Sequence, residues 1–186
     1  MSDKPFIVVS GLPASGKSTL AARLANALEL PLLDKDDILE ALFERAGDVD
    51  PAKRSQLSRM SDDVLTRIAA VSQGSIIVSH WRHEVAEGAS GTPVAWLRAL
   101  PGTVVELHCV CTPEIAEQRF RLRQRHPAHH DGERAAGLGE QLRRLAELGP
   151  LLIGQTISVR TDEPYDFEGL LEQVRIRLEE DSAPSS

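Results

Sequence analysis

The chain has 186 residues, 41% hydrophobic and 26% charged, enough for one globular domain with a substantial core and too few for two full domains. Its formal charge of -7 and isoelectric point near 5.4 disfavour a nucleic-acid backbone or an anionic membrane surface as the main partner. The cysteines, Cys109 and Cys111, lie one residue apart in an apolar run, a spacing unsuited to a disulfide framework or zinc knuckle and expected of core thiols in a reducing compartment. No apolar run approaches the length of a membrane span, so the expectation is a soluble cytoplasmic protein with no membrane partner.

The β-branched run from Phe6 predicts a first strand buried on both faces. Leu20, Leu24 and Leu28 recur at helical spacing, so Lys17 to Leu28 reads as a helix. A short strand ends at Leu33, and a helix runs from Asp34 to Glu44. Pro51 opens a longer helix whose Leu57, Met60, Val64, Leu65, Ile68 and Val71 are expected on one buried face. Ser75 to Ser79 is a third strand, Glu87 to Pro93 a loop and Trp96 to Leu100 a short helix. Thr103 starts a fourth strand, and Pro113 a helix expected to reach about His126. Further helices are expected at Leu138 to Leu148 and from Phe167 to Leu178, with a fifth strand from Thr156 between them. The tail 181–186 is expected to be disordered.

Strands alternating with helices imply a parallel sheet covered on both faces. The expected architecture is a single α/β domain over 1–180, a three-layer sandwich around a five-stranded parallel sheet. Ligands are expected at the carboxyl ends of the strands.

Between the first strand and the first helix lies "GLPASGKST", which satisfies G-x-x-x-x-G-K-[ST] through Gly11, Gly16, Lys17 and Ser18. Such a loop turns successive backbone N–H groups toward a phosphate, and the following helix adds the positive end of its dipole. The backbone from Gly11 through Ala14, Ser15 and Gly16 to Thr19 is therefore assigned to a nucleoside triphosphate. Lys17 would span its β- and γ-phosphates, and Ser18 would ligate Mg²⁺. The motif specifies the nucleotide and leaves its use open. The second strand leads into "DKDD", placing Asp34, Asp36 and Asp37 beside the loop. Helix capping explains one or two of these acids. Three beside a polyphosphate imply an intervening metal or acceptor hydroxyl.

With these motifs the chain resembles the small P-loop kinases and related AAA-type ATP-binding proteins. The group includes shikimate and gluconate kinases, chloramphenicol phosphotransferase, zeta toxins and the kinase module of polynucleotide kinase. The resemblance implies a nucleoside-monophosphate-kinase-like fold with a helical lid, here about 113–137. It also implies ATP and Mg²⁺ as cofactors, and that an aspartate just after the second strand contacts the acceptor hydroxyl and serves as its base. The matching residue is Asp36. Asp34 and Asp36 are similar to the Asp-x-Asp of shikimate kinase, whose first carboxylate lies near the metal, so Asp34 joins Ser18 as a candidate metal residue.

Four arginines fall within seven residues of "RFRLRQR", Arg119, Arg121, Arg123 and Arg125. On a helix Arg119, Arg123 and His126 project to one side and Arg121 and Arg125 to the other. Exposed pairing with Glu114 and Glu117 would contribute little. As a lid, the segment would bring guanidinium groups to the charge that develops in phosphoryl transfer, a role the resemblance also implies. Arg119 and Arg123 are the first candidates, with Arg125 in reserve. His126, His129 and His130 lack the ligand pattern of a zinc site.

The third strand ends in Ser79 and His80, where many P-loop proteins carry a Walker-B aspartate. His80, Trp81 and Arg82 follow at the expected acceptor pocket, where an aromatic wall with a polar edge suits a polyhydroxylated or ring-bearing small molecule. After the fifth strand, Arg160, Thr161 and Pro164 are placed near adenine by the resemblance, with Thr161 the candidate contact. The alternative there is an ordinary connection in which Asp166 caps the last helix.

These features together predict an ATP- and Mg²⁺-dependent phosphotransferase acting on a small-molecule hydroxyl. Lys17, Asp36, Arg119 and Arg123 carry its chemistry. Two other classes stay open: a polynucleotide 5′-hydroxyl kinase, disfavoured by the charge balance, and a nucleotide-binding switch or ATPase without an acceptor, suggested by the missing Walker-B aspartate.

Overall fold

The apolar run from Phe6 becomes the central strand of a five-stranded sheet. In the computed structural model, which describes residues 4–85, 90–124, 126–129 and 137–180, the strands are β1 (Pro5–Gly11), β2 (Leu32–Asp34), β3 (Ser75–Val78), β4 (Thr103–Val110) and β5 (Gln155–Arg160). All pairings are parallel, in the order β2-β3-β1-β4-β5. Phe6, Ile7, Val8 and Val9 are fully buried, as expected of a strand covered on both faces.

The helices are α1 (Lys17–Leu28), α2 (Lys35–Ala46), α3 (Pro51–Val71), α4 (Pro113–Leu122), α5 (Leu138–Leu148) and α6 (Phe167–Glu180), with 3₁₀ turns at Ala95–Ala99 and Pro127–His129. Alternation along β1 divides the core between the two faces of the sheet. Ile7 and Val9 pack with Leu20 and Leu24 of α1 and with Leu170 and Val174 of α6. Phe6 and Val8 pack with Leu65 and Ala69 of α3 and with Leu97. Each such side chain contributes about 1.5–3 kcal/mol when fully buried. A smaller cluster joins Leu12 and Cys111 to Phe120 of α4 and Leu142 of α5, and another joins Leu39 and Phe43 of α2 to Leu57 of α3.

Several boundaries and one helix face differ from expectation. In α3 the buried positions are Leu57, Ser61, Leu65 and Ala69, while Met60, Val64, Ile68 and Val71 are exposed. The face toward the protein is thus an i, i+4 row that includes two small residues, a row that hydrophobicity alone does not select. The β2 strand takes in Asp34, whose side chain accepts the Asp36 N–H and caps α2. Helix α4 stops at Leu122, because Arg123 is extended at φ -70, ψ 144. β5 begins at Gln155, one residue early. The tail 181–186 and much of the segment after α4 lie outside the described residues. No helix among those described is long and apolar enough to cross a membrane.

Since β1 sends its chain into α1 while β3 and β4 flank it on either side, the carboxyl ends of β3, β1 and β4 border a crevice. A cleft of about 800 Å³ opens over the phosphate loop and the carboxyl ends of β2 and β3, where open parallel sheets hold their ligands.

Candidate active site

The phosphate loop links the end of β1 to α1 and has the backbone such a loop requires. Gly11 has φ 129, and a Cβ built on it would lie 2.5 Å from the Cys109 carbonyl oxygen. No side chain fits there. Gly16 at φ 92 and Ala14 at φ 60 are also left-handed, which turns neighbouring N–H groups toward a common concavity. The Ser15 hydroxyl is buried without a partner among the described residues. Lys17 donates from Nζ to the carbonyls of Gly11 at 3.1 Å and Leu12 at 2.7 Å, leaving one of its three N–H groups for a phosphate oxygen. Burial pushes its pKa down, with nearby Asp36 and Asp34 acting in the opposite direction. The cradle, the orphan hydroxyl and the remaining ammonium donor all fit a polyphosphate.

Asp34 and Ser18 meet beside this loop. The Ser18 hydroxyl donates to Asp34 Oδ2 at 2.7 Å, and the Asp36 N–H donates to Oδ1 at 2.9 Å. Desolvation raises the Asp34 pKa, and the Ser18 hydrogen bond acts against it. A hydroxyl and a carboxylate form the hard oxygen pair that Mg²⁺ prefers. Asp36, in the first turn of α2, lines the same cleft as Lys17. Asp37 is exposed, with its pKa raised by partial burial and then by Glu40. Among the described residues no group of three His, Cys, Asp or Glu side chains could hold a metal ion. His126 and His129 instead flank the Phe43 ring, at 5.5 and 5.4 Å between centroids.

The end of β3 divides the expected acceptor residues. His80 lines the cleft, but Trp81 is turned into the core, where its indole N–H donates to the Val9 carbonyl at 2.8 Å. Arg82 is exposed and does not line the cleft. Burial of the indole's apolar area and the need to satisfy its N–H explain the correction for Trp81. The cleft therefore lacks the aromatic wall that "HWR" suggested. Ser79, at the Walker-B position, shares a hydrogen bond with Thr92, whose hydroxyl donates to Asp62. Asp62 also pairs with Lys35 at 2.7 Å. This network fastens α2, α3 and the segment after β3 around the cleft.

Several cleft residues carry no motif: Lys35, Arg54, Ser58, Gln141 and Tyr165. Lys35 was visible inside "DKDD", yet nothing showed that its side chain would turn inward. Arg54 lies one turn after Pro51, and only the packing of α3 against α2 brings it to the cleft.

Arg119 and Arg123 both reach the cleft from α4 and its end. Arg119 donates from Nη2 to the Thr161 carbonyl at 3.0 Å. The Arg123 guanidinium lies 3.8 Å from the Phe120 ring centroid. Arg121 faces away and pairs with Glu117 at 2.6 Å, while Arg125 and His130 lie outside the described residues. Past α4, His129 is buried and its Nε2 lies 2.8 Å from Glu40 Oε1 on α2, so the segment after α4 crosses to the opposite wall of the cleft.

Thr161 lines the cleft beside Gly16, with its N–H and hydroxyl both donating to the Val110 carbonyl. Arg160 is paired with Asp162 and Glu163, and Pro164 is exposed. Neither lines the cleft. Asp162 accepts the Thr112 N–H at the start of α4, which holds its carboxyl below the usual range. Asp166 accepts the Gly169 N–H at 3.1 Å and caps α6.

Comparison with known proteins agrees with this geometry. A family model described as AAA domain matches residues 6–148. The shikimate kinase of Corynebacterium glutamicum is 33% identical over 103 residues, which cover 50% of this chain and 57% of that protein. The chain thus spans about half the length of the curated relatives it matches. A provisionally assigned kinase from Chloroflexus aurantiacus has a solved structure with a TM-score of 0.75 and 25% identity, covering 97% of this chain and 99% of that one. Shikimate kinase from Bacteroides thetaiotaomicron, at 20% identity and a TM-score of 0.56 over 94% of this chain and 98% of its own, shares the fold.

Proposed function

The chain belongs to the AAA-domain family, among its small P-loop kinases, and from that premise we propose an ATP- and Mg²⁺-dependent phosphotransferase acting on a hydroxyl of a small molecule. The observation that carries this reading is one cleft lined by Lys17, Asp36, Arg119 and Arg123 together. A nucleotide switch needs no such polar space opposite its phosphate loop.

In this proposal the loop backbone and Lys17 hold the triphosphate, and Arg119 and Thr161 border its nucleoside side. Ser18 and Asp34 would hold Mg²⁺, which would supply charge neutralisation to the triphosphate. Asp36 orients the acceptor hydroxyl and accepts its proton as the oxygen attacks the γ-phosphorus, whose bond to the β,γ-bridging oxygen breaks to release ADP. Arg119 and Arg123 stabilise the charge that spreads over the equatorial oxygens. His80, Ser58, Ser79 and Gln141 offer donors and acceptors to further hydroxyls. The acceptor is therefore polar and polyhydroxylated, and similarity to shikimate kinases makes shikimate the first compound to try.

ADP release should be measured over shikimate, hexoses, cyclitols, nucleosides and a 5′-hydroxyl oligonucleotide, with Lys17→Ala as the blank. At least one small polyol should raise turnover above basal hydrolysis and yield a phosphorylated product. Phosphorylation of the oligonucleotide alone, or of nothing at all, would overturn the proposal.

A further inference from the structure

A second cavity, of about 110 Å³, lies against the phosphate loop between its first residues, the end of β4 and the last turn of α5. Among its described lining residues it shares Pro13 and His80 with the acceptor cleft. Of its lining, the proposed reaction uses only the phosphate-loop backbone and His80.

Its walls are largely apolar, and the imidazoles of His80, His83 and His108 also line it. His83 Nε2 lies 3.0 Å from the Pro150 carbonyl, an acceptor only, so Nε2 carries the hydrogen. Its Nδ1 is buried without a partner among the described residues and closed to a water-sized molecule, so His83 offers the cavity no acceptor. His108 Nδ1 lies 2.9 Å from the Ser10 hydroxyl, which itself donates to Glu106. Ser10 must then accept from His108, which in the neutral ring leaves the lone pair on His108 Nε2. Burial lowers the His108 pKa and favours this neutral ring. The Trp81 N–H is spent on the Val9 carbonyl, so the indole supplies the cavity with a flat apolar wall and no donor.

We propose that this cavity binds a small ring bearing an N–H or O–H donor, held against Trp81 with its donor directed to His108 Nε2. Three or four waters, at ~30 Å³ each, are the competing occupants. Water would satisfy the His108 lone pair but would leave the apolar walls wet, and a flat ring meets both demands.

Pyrrole and furan, isosteric rings with and without an N–H donor, separate these cases. They should be titrated into the intact protein while the indole ¹H–¹⁵N signals of Trp81 and Trp96 are followed. Pyrrole should shift the Trp81 signal saturably, with furan weaker by about fivefold or more, the effect of one hydrogen bond. The Ala146→Phe variant, which places a ring at the cavity's exposed rim, should lose the pyrrole response while keeping its fold. No saturable shift with pyrrole in the wild-type protein means that water alone fills the space and overturns the proposal. Equal affinity for furan overturns the donor assignment, and an undiminished response in folded Ala146→Phe places the binding elsewhere.

Discussion

The Ser18 hydroxyl, in the first turn of α1, donates to Asp34 Oδ2, at the end of β2, across 2.7 Å. These residues lie in different elements, and the contact joins the phosphate loop to the acid that begins α2. Burial raises the Asp34 pKa above its ordinary value of 3.8. A raised value means that the folded protein keeps this proton where the unfolded chain has lost it, so stability falls as pH rises from the unfolded value through the folded one. Above that window Asp34 is a standing cost. Asp34→Asn should therefore raise Tm by a few degrees at pH 7–8, with the gain shrinking toward about pH 4. The same change should raise the Mg²⁺ needed for half-maximal turnover by about 10–100-fold. A variant less stable at neutral pH, with unchanged Mg²⁺ dependence, would contradict both roles.

Asp36 lines the cleft with Lys17, and its backbone rather than its side chain is committed to capping α2. If its carboxylate is the base, Asp36→Asn should lower kcat by roughly 10²–10⁴-fold while ATP affinity stays within about twofold of wild type, less than 0.5 kcal/mol. Single-turnover phosphorylation and nucleotide titration measure the two separately. Turnover at the wild-type rate would falsify the assignment.

The phosphate site was legible in the sequence because its chemistry is local: one strand, one loop and one helix supply it within Pro5–Leu28. The sheet was legible for a related reason, since strands buried on both faces announce themselves as continuous apolar runs. The acceptor half was not. Trp81 follows β3 where a pocket wall is expected, yet its indole is captured by Val9, 72 residues earlier. Arg54 and Lys35 reach the cleft only through the packing of α3 on α2. The α3 face was misplaced because Ser61 and Ala69 are buried ahead of Met60 and Ile68, a choice set by close packing of small residues. Glu106, in the middle of an apolar strand, gave no sign of what it would bind.

Arg119 and Arg123 should separate by mechanism. Arg119 is tied to the Thr161 carbonyl, near the expected nucleoside side, whereas Arg123 leans on Phe120 and lines the cleft from beyond the helix end. Both alanine variants should lose about 10²–10³-fold in kcat, the usual cost of removing one preorganised donor to a developing charge. Only Arg119→Ala should also weaken ATP binding severalfold. The proposal for Arg123 fails if its alanine variant keeps wild-type kcat with a saturating acceptor.

Glu106 is fully buried in β4 and accepts from the Ser10 hydroxyl, the Leu151 and Ile153 N–H groups and the Thr156 hydroxyl. It therefore holds β1, the segment before β5 and β5 itself to one point, and it does not line the cleft. Its work is structural. Glu106→Ala strands two backbone donors that need partners, at about 1–3 kcal/mol for each buried group left unsatisfied. A loss of about 3 kcal/mol corresponds to roughly 6–12 °C in Tm for a chain of this size. Glu106→Gln keeps the shape and one acceptor oxygen, and should fall between the alanine variant and wild type. Thermal unfolding of the three proteins checks that order, and ATP affinity measured well below each midpoint should be the same for all. An alanine variant that melts with the wild type would show that the four donors find other partners.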